Sequence, residues 1–567
     1  MVNDNINIKQ KLKKIVAKQA NQFKYQRFDK KKIRDMAEIR RRPFFKTILN
    51  IVHRFVVLIL RFIFKNIIYG EKGQSVPPIK NLLLLEPATT LAMKIRTKKI
   101  TSVEVMQAFI ERIEEINPII NCVVDERFAE ALKEAEEVDK LIASDVMTEQ
   151  EILEKKPFLG LPISTKDCIS VKDLLNTGGV YHRRNVRAKE DSTVIARMRE
   201  AGAIPFCLTN ISELCMWYES NNTVHGRTNN PYDTYRIVGG SSGGEGAIQA
   251  AGASPFGIGS DIGGSIRMPA FFNGIFGHKP SREVVCNKRQ FPAPFTEEQR
   301  NMLSTGPMCR FACDLKPMLK ALANKEHIKL LKLDEPVDVK KIKVFYQEND
   351  LGGYLVSQVD KDIQEALKKV ANYFKNSLKN EVTRVEIART KNTAAMWFAN
   401  MISKDSPSFS EQVAEDPDGK INGFVELAKW MFGKSNHTFI GIMTSLTEST
   451  SVQPGSIKHK YLLSERDKII EEFREMLKDD GVFLYPTHPC VAPYHNEPML
   501  RTLNFSYTAL INLLGMPSCN IPLGLGREGV PVGIQVVSNY NNDRLCLAVA
   551  CELEKAFGGW VNPPECK

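Results

Sequence analysis

The chain has 567 residues, 43% of them hydrophobic and 25% charged, an ordinary globular composition that excludes a low-complexity or fibrous architecture. Its net charge of +12 is uneven: residues 1–70 carry 18 Lys and Arg against 4 Asp and Glu, and the remainder carries 60 against 62. The basic character belongs to a tail, which argues against a nucleic-acid-binding body and for a tail near anionic lipid.

Residues 1–46 read as a basic N-terminal arm with little apolar periodicity. Asp4, Asp29, Asp35 and Glu38 speak against a mitochondrial transit peptide, which avoids acidic residues. The stretch from Thr47 to Tyr69 is the apolar outlier. As a helix it would reach about 34 Å, enough to cross a bilayer core of about 30 Å. Arg54 and Arg61 lie near its middle, however, where each arginine costs about 2.5–3.5 kcal/mol on an insertion scale. Lys46, Asn50, His53, Arg54, Arg61 and Lys65 fall in one helical arc, opposite Ile51, Phe55, Leu60 and Ile67, the pattern of a helix lying in the membrane interface. The expectation is a membrane-associated helix over 47–70, in-plane slightly before spanning, followed by one large domain over 76–567.

Thr101-Ser102-Val103-Glu104 reads as a capping box opening a helix that Asn117-Pro118 should stop. A second helix is expected over 126–143, then a linker to Pro157. Residues 158–167 read as a short buried strand with Lys166 at its end, followed by a helix over 192–202 and a strand over 204–208. Met216, Trp217 and Tyr218, in a loop entering a helix, are candidates to line a substrate channel, though such aromatics more often fill a core. Further on, Lys343–Tyr346, Gly481–Tyr485 and Val530–Val537 read as strands and Asp360–Leu378 as an amphipathic helix. Residues 424–443, broken at Gly433, offer large apolar side chains for a membrane-facing cap or for core. The twelve cysteines form no C-x-x-C pair and no zinc-like set. They read as mostly free, buried thiols, with Cys309 and Cys313 spaced as on one helical turn. No metal and no cofactor is expected.

Residues 238–281 hold the most specific pattern: VGGSSGGEGAIQAAGASPFGIGSDIGGSIRMPAFFNGIFGHKPS. Two Gly-Gly-Ser turns, at Ser241 and Ser265, flank an Ala-rich helix-like segment and a short strand-like run. Glycines before a serine permit a sharp turn and leave amide groups uncovered. A hydroxyl behind such amides, opening a helix, suits a nucleophile beside an oxyanion site.

This stretch resembles the signature of the amidase signature family of serine hydrolases, and the likeness extends from about Leu82 to the C-terminus. The resemblance implies an α/β fold in which a large twisted mixed β-sheet is covered by helices on both faces, with an N-terminal membrane-associated helix. It implies a Ser–Ser–Lys triad: Ser265 as nucleophile, Ser241 as the bridging serine after a cis peptide, and Lys166 as base. A lysine serves as base only in its neutral form, which burial favours. The amides of Ile262, Gly263, Gly264 and Ser265 would form the oxyanion hole, and Ser242, Asp261 and Arg267 would support the loops. The implied activity is that of a fatty-acid amide hydrolase: cleavage of long-chain fatty-acid amides, on intracellular membranes, with lipid bilayer and substrate as partners. A homodimer stays open. The alternative within the family is an amidase or glutamine-dependent amidotransferase-type subunit acting on a soluble substrate. Outside the enzymes, a membrane scaffold with a dead site is disfavoured by the intact Lys166, Ser241 and Ser265. Gly239–Gly243 also satisfies G-x-S-x-G, which would make Ser241 the nucleophile. That elbow needs a hydrophobic strand before it, and residues 229–236 are polar and turn-rich.

Overall fold

The computed structural model describes residues 43–564, apart from residues 71, 415, 417 and 449–451. Most of the basic arm therefore lies outside the described residues. Eleven strands build one sheet: β1 Val123–Glu126, β2 Pro162–Lys166, β3 Ile204–Thr209, β4 Phe256–Asp261, β5 Phe276–Lys279, β6 Ser304–Cys309, β7 Lys343–Tyr346, β8 Val382–Arg384, β9 Gly481–Tyr485, β10 Ser518–Leu525 and β11 Pro531–Ser538. Across the sheet they run β1-β3-β2-β4-β6-β5-β10-β11-β9-β7-β8. β3, β2 and β4 are parallel, as are β9, β7 and β8, and the strands between pair antiparallel. The sheet is mixed, as the resemblance implies.

Both faces are covered. Along β9, Val482 and Leu484 enter one buried cluster and Phe483 and Tyr485 another, because successive strand side chains point to opposite sides. Helices that bear on the site are α1 Pro43–Ile63, α2 Ser102–Ile120, α3 Gly243–Ala250, α4 Arg267–Phe272, α5 Thr393–Met401, α6 Gly423–Met431, α7 Phe439–Glu448 and α8 Ser506–Leu514. α2 packs Val105, Phe109 and Ile113 into the first cluster, and α8 packs Leu510 and Ile511 into the second.

The capping box opens α2: Thr101 accepts from the Glu104 amide while Glu104 reaches back to the Thr101 amide. Pro118 does not stop that helix, which runs on to Ile120 and ends at Asn121 in the left-handed region. A proline in the last turn forfeits a single hydrogen bond, and burial of Ile120 favours completing the turn. The expected linker to Pro157 holds a short capped helix, Glu149–Lys155, and residues 210–218 form a loop with a single tight turn at Glu213–Cys215. All cysteines among the described residues are free. Cys309 ends β6 while Cys313 sits in the next helix, so the two do not share a helical turn.

No helix among the described residues is long and apolar enough to cross a membrane. The chain divides into two units at Leu58 and Ile59. In the first, α1 exposes Ile51, Phe55 and Leu58; in the second it continues with exposed Phe62, and a wider turn follows at Phe64–Ile68. Arg61 pairs with Asp360 at 3.3 Å and Glu528 at 2.9 Å. Burial disfavours its charge, but the two carboxylates outweigh that and raise its pKa above the ordinary arginine value. Arg61 therefore has both carboxylates as partners within the folded body.

Candidate active site

Lys166 is the last residue of β2 and is completely buried. Strand β4 runs beside it, with Ser164 opposite Gly257 and Thr165 opposite Ile258, so the C-terminal ends of the two strands meet. There Lys166 Nζ donates to Ser241 Oγ at 2.8 Å and to Ser260 Oγ, from β4, at 3.1 Å. Ser241 stands two residues before α3, after a cis Gly240–Ser241 peptide. Only glycine fits at 240, where a Cβ would lie 2.3 Å from the Trp217 carbonyl oxygen.

Ser265 sits in the turn after β4, two residues before α4, instead of opening the helix itself. Its loop is tied to Asp261. That carboxylate accepts from the Gly264 amide at 2.7 Å, from Arg267 Nε and Nη2 at 3.0 Å each, and from Asn512 Nδ2 at 2.8 Å. Burial works against the Asp261 charge, yet Arg267 and these hydrogen bonds prevail and hold its pKa at about 2. The predicted Asp261–Arg267 pair is thus present and fully buried. The Ile262 carbonyl accepts from Trp397 Nε1 at 2.8 Å and the Gly263 carbonyl from Thr508 Oγ1 at 2.7 Å. In a trans peptide the N–H points opposite its C=O, so these bonds orient the amides of Gly263 and Gly264. Of the four amides predicted for an oxyanion hole, that of Gly264 donates to Asp261. Ser242, buried beside them, receives its own tie: its amide donates to the Ser265 carbonyl at 3.3 Å.

Ser241, Ser260 and Ser265 open onto one cavity of about 500 Å³. Its apolar wall includes Leu214, Met216, Phe291, Leu303, Trp397 and Phe398. The channel expectation divides three ways. Met216 lines this cavity, and Trp217 lines an adjoining one of about 370 Å³ bounded also by Trp430 and Phe439 of α6 and α7. Tyr218 is core: its hydroxyl donates to the carbonyls of Pro498 and Arg501 and its ring lies 5.6 Å from His488. Phe271 and Phe272 are likewise buried core, since the short helix α4 turns both toward the second cluster.

The Amidase family matches this chain over residues 104–547. The chain belongs to the amidase signature family. It is 46% identical to fatty-acid amide hydrolase 2 of Homo sapiens over 86% of its own length and 92% of that protein. It is 44% identical to fatty-acid amide hydrolase 2-A of Danio rerio over 92% and 98%. Among solved structures, a fatty acid amide hydrolase superposes with a TM-score of 0.68 at 23% identity, over 86% of this chain and 88% of that one. The protein is an amidase, a hydrolase of carbon–nitrogen bonds.

Four residues around this amidase site were given no role of their own by the sequence. Ser260 is one, a serine of the signature stretch that β4 aligns with Lys166. Glu245 is another: fully buried in α3, it accepts from Ser164 at 2.9 Å, Thr209 at 2.8 Å and Gln249 at 3.0 Å. Burial outweighs these bonds and lifts its pKa to about 7. Cys168 and Cys215, both lining the cavity, are the other two. Their position depends on sheet register and loop path, which no local pattern encodes.

Proposed function

We propose that this protein is a membrane-attached serine hydrolase that cleaves long-chain fatty-acid amides through Lys166, Ser241 and Ser265 and an acyl-enzyme. The observation that carries the reading is the buried Lys166 Nζ to Ser241 Oγ contact of 2.8 Å, on the cavity that Ser265 also lines. Neutral Lys166 takes the Ser241 proton while Ser241 takes that of Ser265, whose Oγ attacks the amide carbonyl. The amides of Ile262, Gly263 and Ser265 stabilise the tetrahedral oxyanion. The proton returns from Lys166 through Ser241 to the leaving nitrogen, so the amine departs neutral rather than as an anion. Water then cleaves the acyl-enzyme by the same relay. The lysine–serine pair thus supplies the base and acid roles that histidine fills in other triads.

The substrate class rests on the apolar wall of the cavity and on the names of the 46% and 44% identical relatives. Attachment rests on two exposed apolar surfaces. One is the α1 stripe of Ile51, Phe55, Leu58 and Phe62; the other is Phe424, Met431 and Phe432 at α6. Surfaces of this kind on a soluble body mark lipid or partner contacts, and the in-plane mode fits Arg61, held by Asp360 and Glu528.

A fluorophosphonate probe on the full chain, with peptide mapping and oleamide hydrolysis measured in parallel, tests the reading. The adduct is expected on Ser265, with oleamide cleaved and glutamine left intact. An adduct on Ser241 overturns the roles, and a preference for glutamine overturns the substrate.

A further inference from the structure

Two free thiols share the cavity with Ser265. Cys168 lies two residues beyond Lys166 and is buried, its Sγ 3.9 Å from Ser260 Oγ, the hydroxyl that also receives Lys166 Nζ. Cys215 reaches the same place from the loop after β3. It lines the same cavity as Cys168, Ser241 and Ser260, with Cys168, Lys166 and Ser241 as its interacting neighbours. Leu214 and Cys215 both adopt positive φ, +50° and +56°, a conformation uncommon for one such residue and more so for two in succession. Cys215 is thus held against the cavity by an unusual backbone.

We infer that Cys168 and Cys215 form an oxidant-sensitive dithiol: a hydroperoxide entering the cavity closes them into a disulfide beside Ser241, and hydrolysis stops. The steps balance. The Cys215 thiolate attacks the terminal peroxide oxygen, the O–O bond breaks, and the electron pair leaves on the other oxygen, which takes a proton to become water or an alcohol. Cys215 is now a sulfenic acid; sulfur is oxidised and the peroxide reduced. The Cys168 sulfur attacks it, an S–S bond forms, the S–O bond breaks, and hydroxide departs as water with the Cys168 proton. The pair divides these roles. The interaction with Cys168, against burial, lowers the pKa of Cys215, whereas burial raises that of Cys168 well above the thiol range. The more acidic thiol attacks and the other resolves. Any hydroperoxide small or apolar enough to enter qualifies, hydrogen peroxide and fatty-acyl hydroperoxides alike. Among the described residues, the exposed thiols are Cys313 and Cys551, and the pKa of each is raised.

The test uses the full chain, reduced, freed of reductant and treated with equimolar hydrogen peroxide. Remaining thiols are blocked with N-ethylmaleimide and the protein is digested without reduction. The expected result is a peptide pair joining Cys168 to Cys215, with hydrolysis lost in proportion to the cross-link and both reversed by dithiothreitol. Cys168→Ser should leave a sulfenic acid on Cys215 that dimedone traps. Oxidation confined to Cys313 and Cys551, or a cross-linked enzyme that still hydrolyses amide at the original rate, would overturn the inference. The peptide map reads the bond itself, so it is decided apart from the substrate proposed above.

Discussion

Lys166 Nζ donates to Ser241 Oγ at 2.8 Å across 75 residues of sequence. The contact exists because β2 and β4 lie side by side and the turn before α3 returns Ser241 to the end of β2. If Lys166 is the base, Lys166→Ala should lower kcat for fatty-acid amides on the order of 10⁴-fold, as loss of a triad member does elsewhere. Ser241→Ala should fall by a similar factor, and the double variant by little more, because the two act in one relay. Steady-state kinetics of the three variants decide it; additive losses would mean that lysine and serine work separately.

Glu245 makes stability depend on pH in a direction that can be worked out. Its folded pKa of about 7 lies above the ordinary 4.5, so between those values the folded protein holds a proton that the unfolded chain has released. The contribution is fully present below about pH 4.5 and is lost as pH rises through about 7. Glu245→Gln keeps the neutral shape and removes the titration. Thermal unfolding from about pH 5 to 8 should show the wild type losing stability relative to the variant as pH rises. Parallel curves would mean that Ser164, Thr209 and Gln249 keep the carboxylate charged throughout.

The Asp261–Arg267 pair carries the opposite sign. A carboxylate held at about 2, below its ordinary 3.8, contributes stability above the higher value that is lost as pH falls through the lower. Asp261→Asn leaves Arg267 buried without its counter-charge, which should cost about 3–5 kcal/mol in urea unfolding. Because Asp261 also receives the Gly264 amide, kcat should fall more than KM rises. A change within about 0.5 kcal/mol would show that Gln535 and Asn512, which also accept from Arg267, satisfy it alone.

The difference between what was legible beforehand and what was not follows from range. Gly240 and the Gly-Gly-Ser turns were readable because a backbone this crowded admits one residue type, a constraint written locally. The capping box at Thr101 and Lys166 at a strand end are local in the same way. Glu245 and Ser260 stand inside the signature stretch, but their contacts, like those of Cys168 and Cys215, were not readable, since each depends on the β2–β4 register or the path of the 210–218 loop. Tyr218, offered as a channel candidate, is core for a related reason. Large apolar residues next to a signature suit both cavity and core, and only the packing of α4 and the Tyr218 hydroxyl bonds separates the two.

The exposed side chains at α6 give the attachment proposal a direct test. Phe424 and Phe432 are 77% and 76% exposed, so replacing either should leave the fold intact. Burying such a side chain in lipid gains about 1.5–3 kcal/mol, so Phe432→Glu should weaken vesicle binding on the order of tenfold or more. Flotation with anionic liposomes measures it. Unchanged binding by both this variant and Phe424→Glu would confine attachment to the N-terminal helix and arm.

Acyl length supplies the sharpest reading of the cavity. An amide whose chain lies against Leu214, Met216, Phe291, Trp397 and Phe398 leaves water one methylene at a time. Each buried methylene is worth about 0.8 kcal/mol, roughly fourfold in affinity. Where the chain comes from a bilayer or micelle, part of that gain is surrendered on leaving it, so the observed step per carbon should be smaller. With the carbonyl fixed against Ser265 and the amides of Ile262 and Gly263, the chain adds contacts that persist into the transition state, and the gain appears in kcat/KM. The quantity should therefore climb from acetamide through octanamide to oleamide, then level off once about 500 Å³ of cavity is filled. Kinetics on that series at fixed detergent concentration make the comparison. A flat series would mean that the apolar wall does not hold the acyl chain, and a higher kcat/KM for glutamine than for oleamide would make this a soluble-substrate amidase instead.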